Sequence, residues 1–362
     1  MTQDEIRILF VADSHLGFDL PVRPRIERRR RGHDFLANYA AALAPAVAGE
    51  VDLVVHGGDV FDRPGVISSL AYQAFEPLIR IADRGIPVFI VPGNHERSRL
   101  PHLRFAAHPR IHVFDTPRTF VIEVRGRRVA LAGFPYERRD VRTSFRSLID
   151  AAGWTPDCAE RHLLCVHHCV EGATVGPADY TFRGAADVIR PREVPPQFAA
   201  VLSGHIHRHQ ALTTDLSGRP LTVPVLYPGS IERTSLAEIG EPKGYLMLYL
   251  SAGEPGLRWE FRPLPARPMI RREIAAPGMS AEALVAAIGA IVAEVPADAV
   301  LTIRVAGELT ADQWPMLSAA RVRELTPTGM NLEVRPDGLS PPTQPSTSAI
   351  PEQSLGFGSP DA

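Results

Sequence analysis

The sequence predicts an α/β protein in two folded parts and a tail: residues 1–265, a smaller α/β part over 266–338, and a disordered Pro/Ser-rich stretch over 339–362. Three observations predict it. Short apolar runs alternate with helical stretches from Ile6 to Val91, the order that builds a sheet with helices on its faces. Pro263, Pro265 and Pro268 then interrupt the pattern, which restarts after them. From Leu339 onward the chain is rich in Pro, Ser and Gly and cannot bury enough apolar surface to order itself.

The elements follow in order. Ile6 to Val11 reads as a strand, the stretch around Asp34 to Val47 as a helix, Leu53 to Val55 as a strand, Ser69 to Ala82 as a helix and Val88 to Val91 as a strand. Further strands are expected at Phe120 to Val124, Val129 to Ala132, His162 to Val166 and Ala199 to Leu202. Leu221 to Leu226, Tyr245 to Leu250 and Leu257 to Phe261 follow with no helix between them, which predicts a mixed or antiparallel sheet packed on the first. In the smaller part the expected order is strand (Met269 to Ile274), helix (Ala281 to Glu294), strand (Leu301 to Val305), helix (Asp312 to Arg323) and strand (Asn331 to Val334).

Composition narrows the class. An apolar fraction of 45% over 362 residues is that of a chain with a core, and the length suits roughly two domains. Ala37 to Ala48 and Ala283 to Val295 are the longest apolar runs and fall short of the roughly 20 residues of a membrane span. With two acids before its first apolar run the N-terminus does not read as a secretion signal, so a cytoplasmic location is expected. Cys158, Cys165 and Cys169 are too few and too clustered for a disulfide framework and lack paired ligand spacing, so they read as structural thiols. A net charge of −2 excludes a globally basic binder but allows a local basic patch.

The informative residues are those that follow the strands. Asp13 and His15 follow the first (VADSHLG), Asp59 and Asp62 the second (HGGDVFDR), and Asn94, His95 and Glu96 the third (VPGNHE). His167 and His168 end LLCVHH, and His205 and His207 lie in LSGHIHR. Binding sites of α/β sheets lie beyond the carboxyl ends of strands, so these residues can converge. Carboxylate, amide oxygen and imidazole together suit Mn²⁺, Fe or Zn²⁺. A pair of such ions needs one bridging carboxylate, for which Asp59 is the candidate, and can clamp both oxygens of a displacement at phosphorus. Gly57, Gly58, Gly93 and Gly204 precede ligands where tight turns bring short side chains close.

Bland readings exist for each piece. A lone DxH or GxH is a cap or turn more often than a ligand, and Asp62 could be the N-cap of the helix after Arg63-Pro64. Only one of His167 and His168 can face inward from an extended segment. His56, His102, His108, His112, His162 and His209 read as structural or surface residues. Five strand ends delivering metal-ligand residues in order are not explained that way.

The set DxH, GDxxD, GNH(D/E), H, GHxH resembles that of the calcineurin-like metallophosphoesterases, over about residues 6 to 235. HLG, GGDVFDR and YPGSIERTSLAE (Tyr227 to Glu238) resemble the SbcD-type DNA repair exonucleases within that superfamily. The resemblance implies a four-layer sandwich of two mixed sheets flanked by helices, with the smaller part as an α/β capping domain. It implies Asp13, His15, Asp59 and His207 on one metal ion and Asp59, Asn94, His167 and His205 on the other. Mn²⁺ is the expected ion. It further implies that His95 protonates or orients the leaving oxygen and that Asp62 orients a ligand or His95. Ser/Thr protein phosphatases share GNHE and GDxxDR, but they begin with DxHG, where Leu16 intervenes here, and lack GHxH.

The leading expectation is a Mn²⁺-dependent DNA exonuclease or endonuclease of DNA repair. The competing ones are a phosphodiesterase for a small substrate, such as a cyclic nucleotide or phospholipid headgroup, and a scaffold that binds DNA without catalysis. DNA is the expected partner, a homodimer is allowed, and no membrane association is expected. SbcD-type nucleases carry helical segments that dock on an SMC-type ATPase, and here the Pro/Ser stretch stands in their place. The cluster Arg28, Arg29, Arg30 and Arg31 follows the first motif closely and is a candidate phosphate-contacting surface.

Overall fold

The computed structural model describes residues 5–251 and 257–337; the expected tail lies outside the described residues. The chain divides into two compact units, the first ending at Met269 and the second beginning at Ile270.

The first unit holds two six-stranded sheets. One runs Leu257–Pro263, Gly244–Leu250, Ile6–Val11, Leu53–His56, Val88–Ile90, Ile111–Val113. Its last four strands are parallel and the first two pair antiparallel. The other runs Gln210–Thr214, Pro220–Tyr227, Phe198–Ser203, Arg161–Val166, Arg127–Gly133, Arg118–Val124, with its four inner strands parallel. Period-two alternation explains the layering. On Ile6–Val11, Ile8 and Phe10 pack with Phe89, Leu131, Leu163 and Leu202 between the sheets. Leu9 and Val11 face the other way, onto Phe35, Leu43, Phe75 and Leu78 of helices Arg31–Ala48 and Ser68–Asp83. On the far side of the second sheet, Val141, Phe145 and Ile149 of helix Val141–Ala151 pack on Leu164, Val166 and Val201. The result is the expected four-layer sandwich.

One expectation for the first unit needs correction. Tyr245–Leu250 and Leu257–Phe261 do not join Leu221–Leu226 in the second sheet but extend the first, with Ile6 opposite Leu250 and Phe10 opposite Leu246. Every residue of Gly244–Leu250 is buried because one face meets the helices and the other the second sheet, so helix-free spacing is a poor guide to sheet membership. Helix Val141–Ala151 is an addition to the expected elements. Its signals are Asp140, whose carboxylate accepts from the Thr143 amide at 3.1 Å, and apolar residues four apart at 141, 145 and 149.

The second unit is built on one sheet of strands Met269–Ala275, whose first residue is the last of the first unit, Val300–Ala306 and Asn331–Pro336, and helix Ala281–Glu294 buries Leu284, Ile288 and Val292 against Leu301 and Ile303. The helix expected over 312–323 is instead a short 3₁₀ turn, Trp314–Leu317, and a helix, Ala319–Leu325, separated by Ser318 in extended conformation. Among the described residues no helix is long and apolar enough to cross a membrane.

Candidate metal centre

Because the inner strands of each sheet are parallel, their carboxyl ends lie on one edge. The loops there bring Asp13, His15, Asp59, Asn94 and His95 from the first sheet to His167, His205 and His207 from the second. Asp13, His15, Asp59 and His167 are buried.

Two clusters form around Asp59. In one, Nε2 of His15 and Nε2 of His207 approach to 2.9 Å, with a carboxylate oxygen of Asp13 in the same group and Asp59 Oδ2 3.9 Å from His15 Nε2. In the other, Asn94 Oδ1 stands 3.0 Å from His167 Nε2 and 2.8 Å from His205 Nδ1, while Asp59 Oδ2 is 3.3 Å from His167 Nε2. Asp59 Oδ2 thus faces both groups. His95, His15 and Asp62 make a third grouping.

The backbone is bent to achieve this. Asp13, His15, Asp59 and His205 have φ of 51°, 41°, 51° and 80°, the left-handed region that non-glycine residues occupy at a cost. Gly93 is required by close approach: a Cβ there would lie 2.1 Å from Asp59 Oδ1. At Gly58 it would lie 2.3 Å from His167 Nδ1. Glu96 holds the GNHE loop, its two oxygens accepting from the Gly93 amide at 2.8 Å and the Phe61 amide at 2.9 Å.

The electrostatics favour a cation. Burial pushes the Asp13 carboxyl up to about 6. Burial, and then His167, pushes His205 down to about 3. Burial opposes charge on His167 too, but Asp59 overrides it and raises that imidazole to about 9. Buried acids and imidazoles crowded in this way are satisfied together by divalent ions, which accept from both. His15 Nδ1 is buried without a hydrogen-bond partner, another sign of a site built for more than the protein's own atoms. The donor set fits a pair of divalent ions.

Around the clusters, other residues fix the rings. The Nδ1–H of His167 donates to the Gly57 carbonyl at 2.7 Å, leaving Nε2 for the site. His95 Nδ1 donates to the Asp62 backbone carbonyl at 2.7 Å, and its Nε2 faces Asp59 at 4.0 Å. The Asp62 side chain instead stands 3.9 Å from His15 Nδ1 and 3.4 Å from Arg63. Asp62 is no helix cap, since the following helix starts at Ser68 with Ile67 before it. His168 turns away, its Nε2 accepting from the Glu137 amide at 2.9 Å. His56 is buried, with Nε2 2.9 Å from Ser14 Oγ.

Two further neighbours join the residues expected from the motifs. Tyr136 stacks on His168 at 4.9 Å and lies 5.6 Å from the His205 ring; only its place after a strand hints at this. Glu238, at the end of YPGSIERTSLAE, places Oε1 3.2 Å from His207 Nδ1.

The arginine cluster is partly a correction. Arg31 is 8% exposed; its guanidinium donates to the Arg233 carbonyl at 2.6 Å and lies 3.3 Å from Glu232. A group spent on the protein's own carboxylate inside the fold is not a phosphate-contacting surface. Arg29 pairs with Asp34 at 2.8 Å and Arg30 with Asp19, while both remain partly exposed. Arg28 is likewise engaged within the protein.

Sheets, loops and clusters together define a metallophosphoesterase. Residues 6–209 match the calcineurin-like phosphoesterase family, and the chain belongs to it. A DNA double-strand break repair protein Mre11 of Methanosarcina acetivorans is 29% identical over 269 residues, which are 73% of this chain and 39% of that protein. The SbcD component of nuclease SbcCD from Bacillus subtilis is 26% identical over 294 residues, covering 70% of this chain and 72% of that protein. Among solved structures, a dimetal phosphatase from Danio rerio is similar at 12% identity and a TM-score of 0.43, over 70% of this chain and 98% of its own. The chain spans 39% of the length of the first two Mre11 relatives it matches.

Proposed function

We propose that this chain is a two-metal phosphodiesterase that cleaves DNA, as an exonuclease or endonuclease acting in DNA repair with Mn²⁺. The observation that carries the reading is the sharing of Asp59 Oδ2 between two ligand groups, His15/His207/Asp13 and His167/His205/Asn94. Two divalent ions held there would supply charge neutralisation at the phosphoryl group and would lower the pKa of an attacking water. His95, donating through Nδ1 to the Asp62 carbonyl, leaves Nε2 as the atom that takes up a proton and gives it back. Its side chain is 39% exposed beside the clusters, so Nε2 can hand that proton to a leaving oxygen. The names of the relatives, a DNA double-strand break repair protein and a part of a nuclease, support DNA as the substrate. An SMC-type ATPase as partner follows from the resemblance to SbcD-type nucleases.

Incubation of the metal-free protein with end-labelled duplex tests this. Shortened products are expected with added Mn²⁺ and none with excess chelator. Undiminished cleavage in chelator, with metal removal verified, would falsify the two-metal chemistry; cleavage of a generic phosphodiester but not of duplex would shift the substrate to a small molecule.

A further inference from the structure

Among the chain's 39 basic residues only one is a lysine, Lys243, and its side chain is fully buried. Its ammonium has three donors and faces three acceptors: Glu238 Oε2 at 2.5 Å, the His207 backbone carbonyl at 2.9 Å and Glu241 Oε2 at 3.3 Å. A planar guanidinium, larger and with its donors in a fixed fork, does not match this compact arrangement, which accounts for lysine in a chain that otherwise uses arginine. Glu241 is balanced separately by Arg208, 3.0 Å away, so Lys243 is the counter-charge of Glu238.

The other oxygen of Glu238 completes a chain of contacts. Oε1 accepts from Thr234 Oγ1 at 2.6 Å and from His207 Nδ1 at 3.2 Å. The opposite nitrogen of that ring, Nε2, is the one 2.9 Å from His15 Nε2. We propose that Lys243 and Glu238 are positioning residues that act as one device: Lys243 fixes which way the carboxylate presents its oxygens, and the carboxylate holds the proton on Nδ1 of His207, so that the Nε2 lone pair points into the metal centre. The proposal rests on the reading of His207 as a metal-facing residue. Lys243 also grips the carbonyl of the same histidine, fixing its backbone and its ring at once.

The arrangement makes an unusual prediction for Glu238→Gln. Lys243 demands an acceptor, so the amide oxygen turns to it and the amide NH₂ faces His207 Nδ1. The proton is then forced onto Nε2, the wrong nitrogen. Removing the lysine as well, in Glu238→Gln/Lys243→Met, lets the amide turn its oxygen back to Nδ1, and it keeps the buried charge balanced because one charge of each sign is removed.

Two measurements on the wild type and both variants decide the matter. Long-range ¹H–¹⁵N spectra of the metal-free, ¹⁵N-histidine-labelled protein, with His207 assigned through His207→Gln, read the tautomer at a pH where the ring is neutral. The expected result is Nδ1–H in the wild type, Nε2–H in Glu238→Gln and a return toward Nδ1–H in the double variant. Titration with Mn²⁺ should show one of two ions bound about 10 to 100-fold more weakly in Glu238→Gln and partly regained in the double variant. An unchanged tautomer in Glu238→Gln, or a double variant no better than the single, overturns the proposal. A wild type that binds no pair of ions overturns the two-metal reading instead, while the tautomer measurement still decides the role of Lys243 and Glu238.

Discussion

His95 and His167 are oriented by the same kind of hydrogen bond and differ in what the other ring nitrogen meets. Both donate Nδ1–H to a backbone carbonyl, of Asp62 and Gly57 respectively, and both free Nε2. His167 Nε2 then meets Asp59 Oδ2 at 3.3 Å inside the fold, whereas His95 Nε2 stays 4.0 Å from it and is reached from solvent. On the proposed reading, a proton-transfer group and a ligand differ here by less than an ångström and by exposure. His95→Asn is therefore expected to keep its metal content while losing 10² to 10⁴-fold in turnover of a phosphodiester. Metal analysis beside the kinetics checks this, and metal lost in proportion to activity would make His95 a ligand.

At the scale of elements, the carboxyl ends of parallel strands do the placing, and this is legible in the sequence. The motif residues follow their strands within a few positions, so knowing the strands locates the loops. What cannot be read is the backbone inside those loops: nothing in the letters of Asp13, His15, Asp59 or His205 announces a left-handed φ, because the surrounding packing imposes it. The membership of Gly244–Leu250 in the first sheet is equally hidden, since sheet order is set by long-range pairing. A charge run is likewise ambiguous until its partners are known. In helix Arg31–Ala48, Arg31 meets Glu232, and Asp34 is held by Arg267 at 2.7 Å, which ties the helix start to distant segments. Arg31→Ser should accordingly destabilise the fold by about 3 kcal/mol, by stranding Glu232, rather than flatten the salt dependence of DNA binding. Chemical denaturation and a salt titration on the same variant distinguish the two; unchanged stability with a salt slope reduced by about 1 would return Arg31 to the nucleic-acid surface.

For the molecule as a whole, the centre is a joint between two sheets. Asp13, His15, Asp59 and Asn94 come from one, His167, His205 and His207 from the other, and the sheets otherwise meet through apolar contacts such as Phe10, Phe89, Leu163 and Leu202. Ions held at the joint would bind the folded state preferentially, so its melting temperature is expected to rise with Mn²⁺ concentration. Asp59 Oδ2 faces both ligand groups, so the claim that they form a single two-ion centre is tested most sharply there. The most direct measurement is the number of Mn²⁺ ions bound per chain in the wild type and in Asp59→Asn, at matched free Mn²⁺ and with folding verified. Two ions in the wild type and weakened occupancy of both in the variant are the predicted result; a variant that loses one ion and holds the other with wild-type affinity would contradict it.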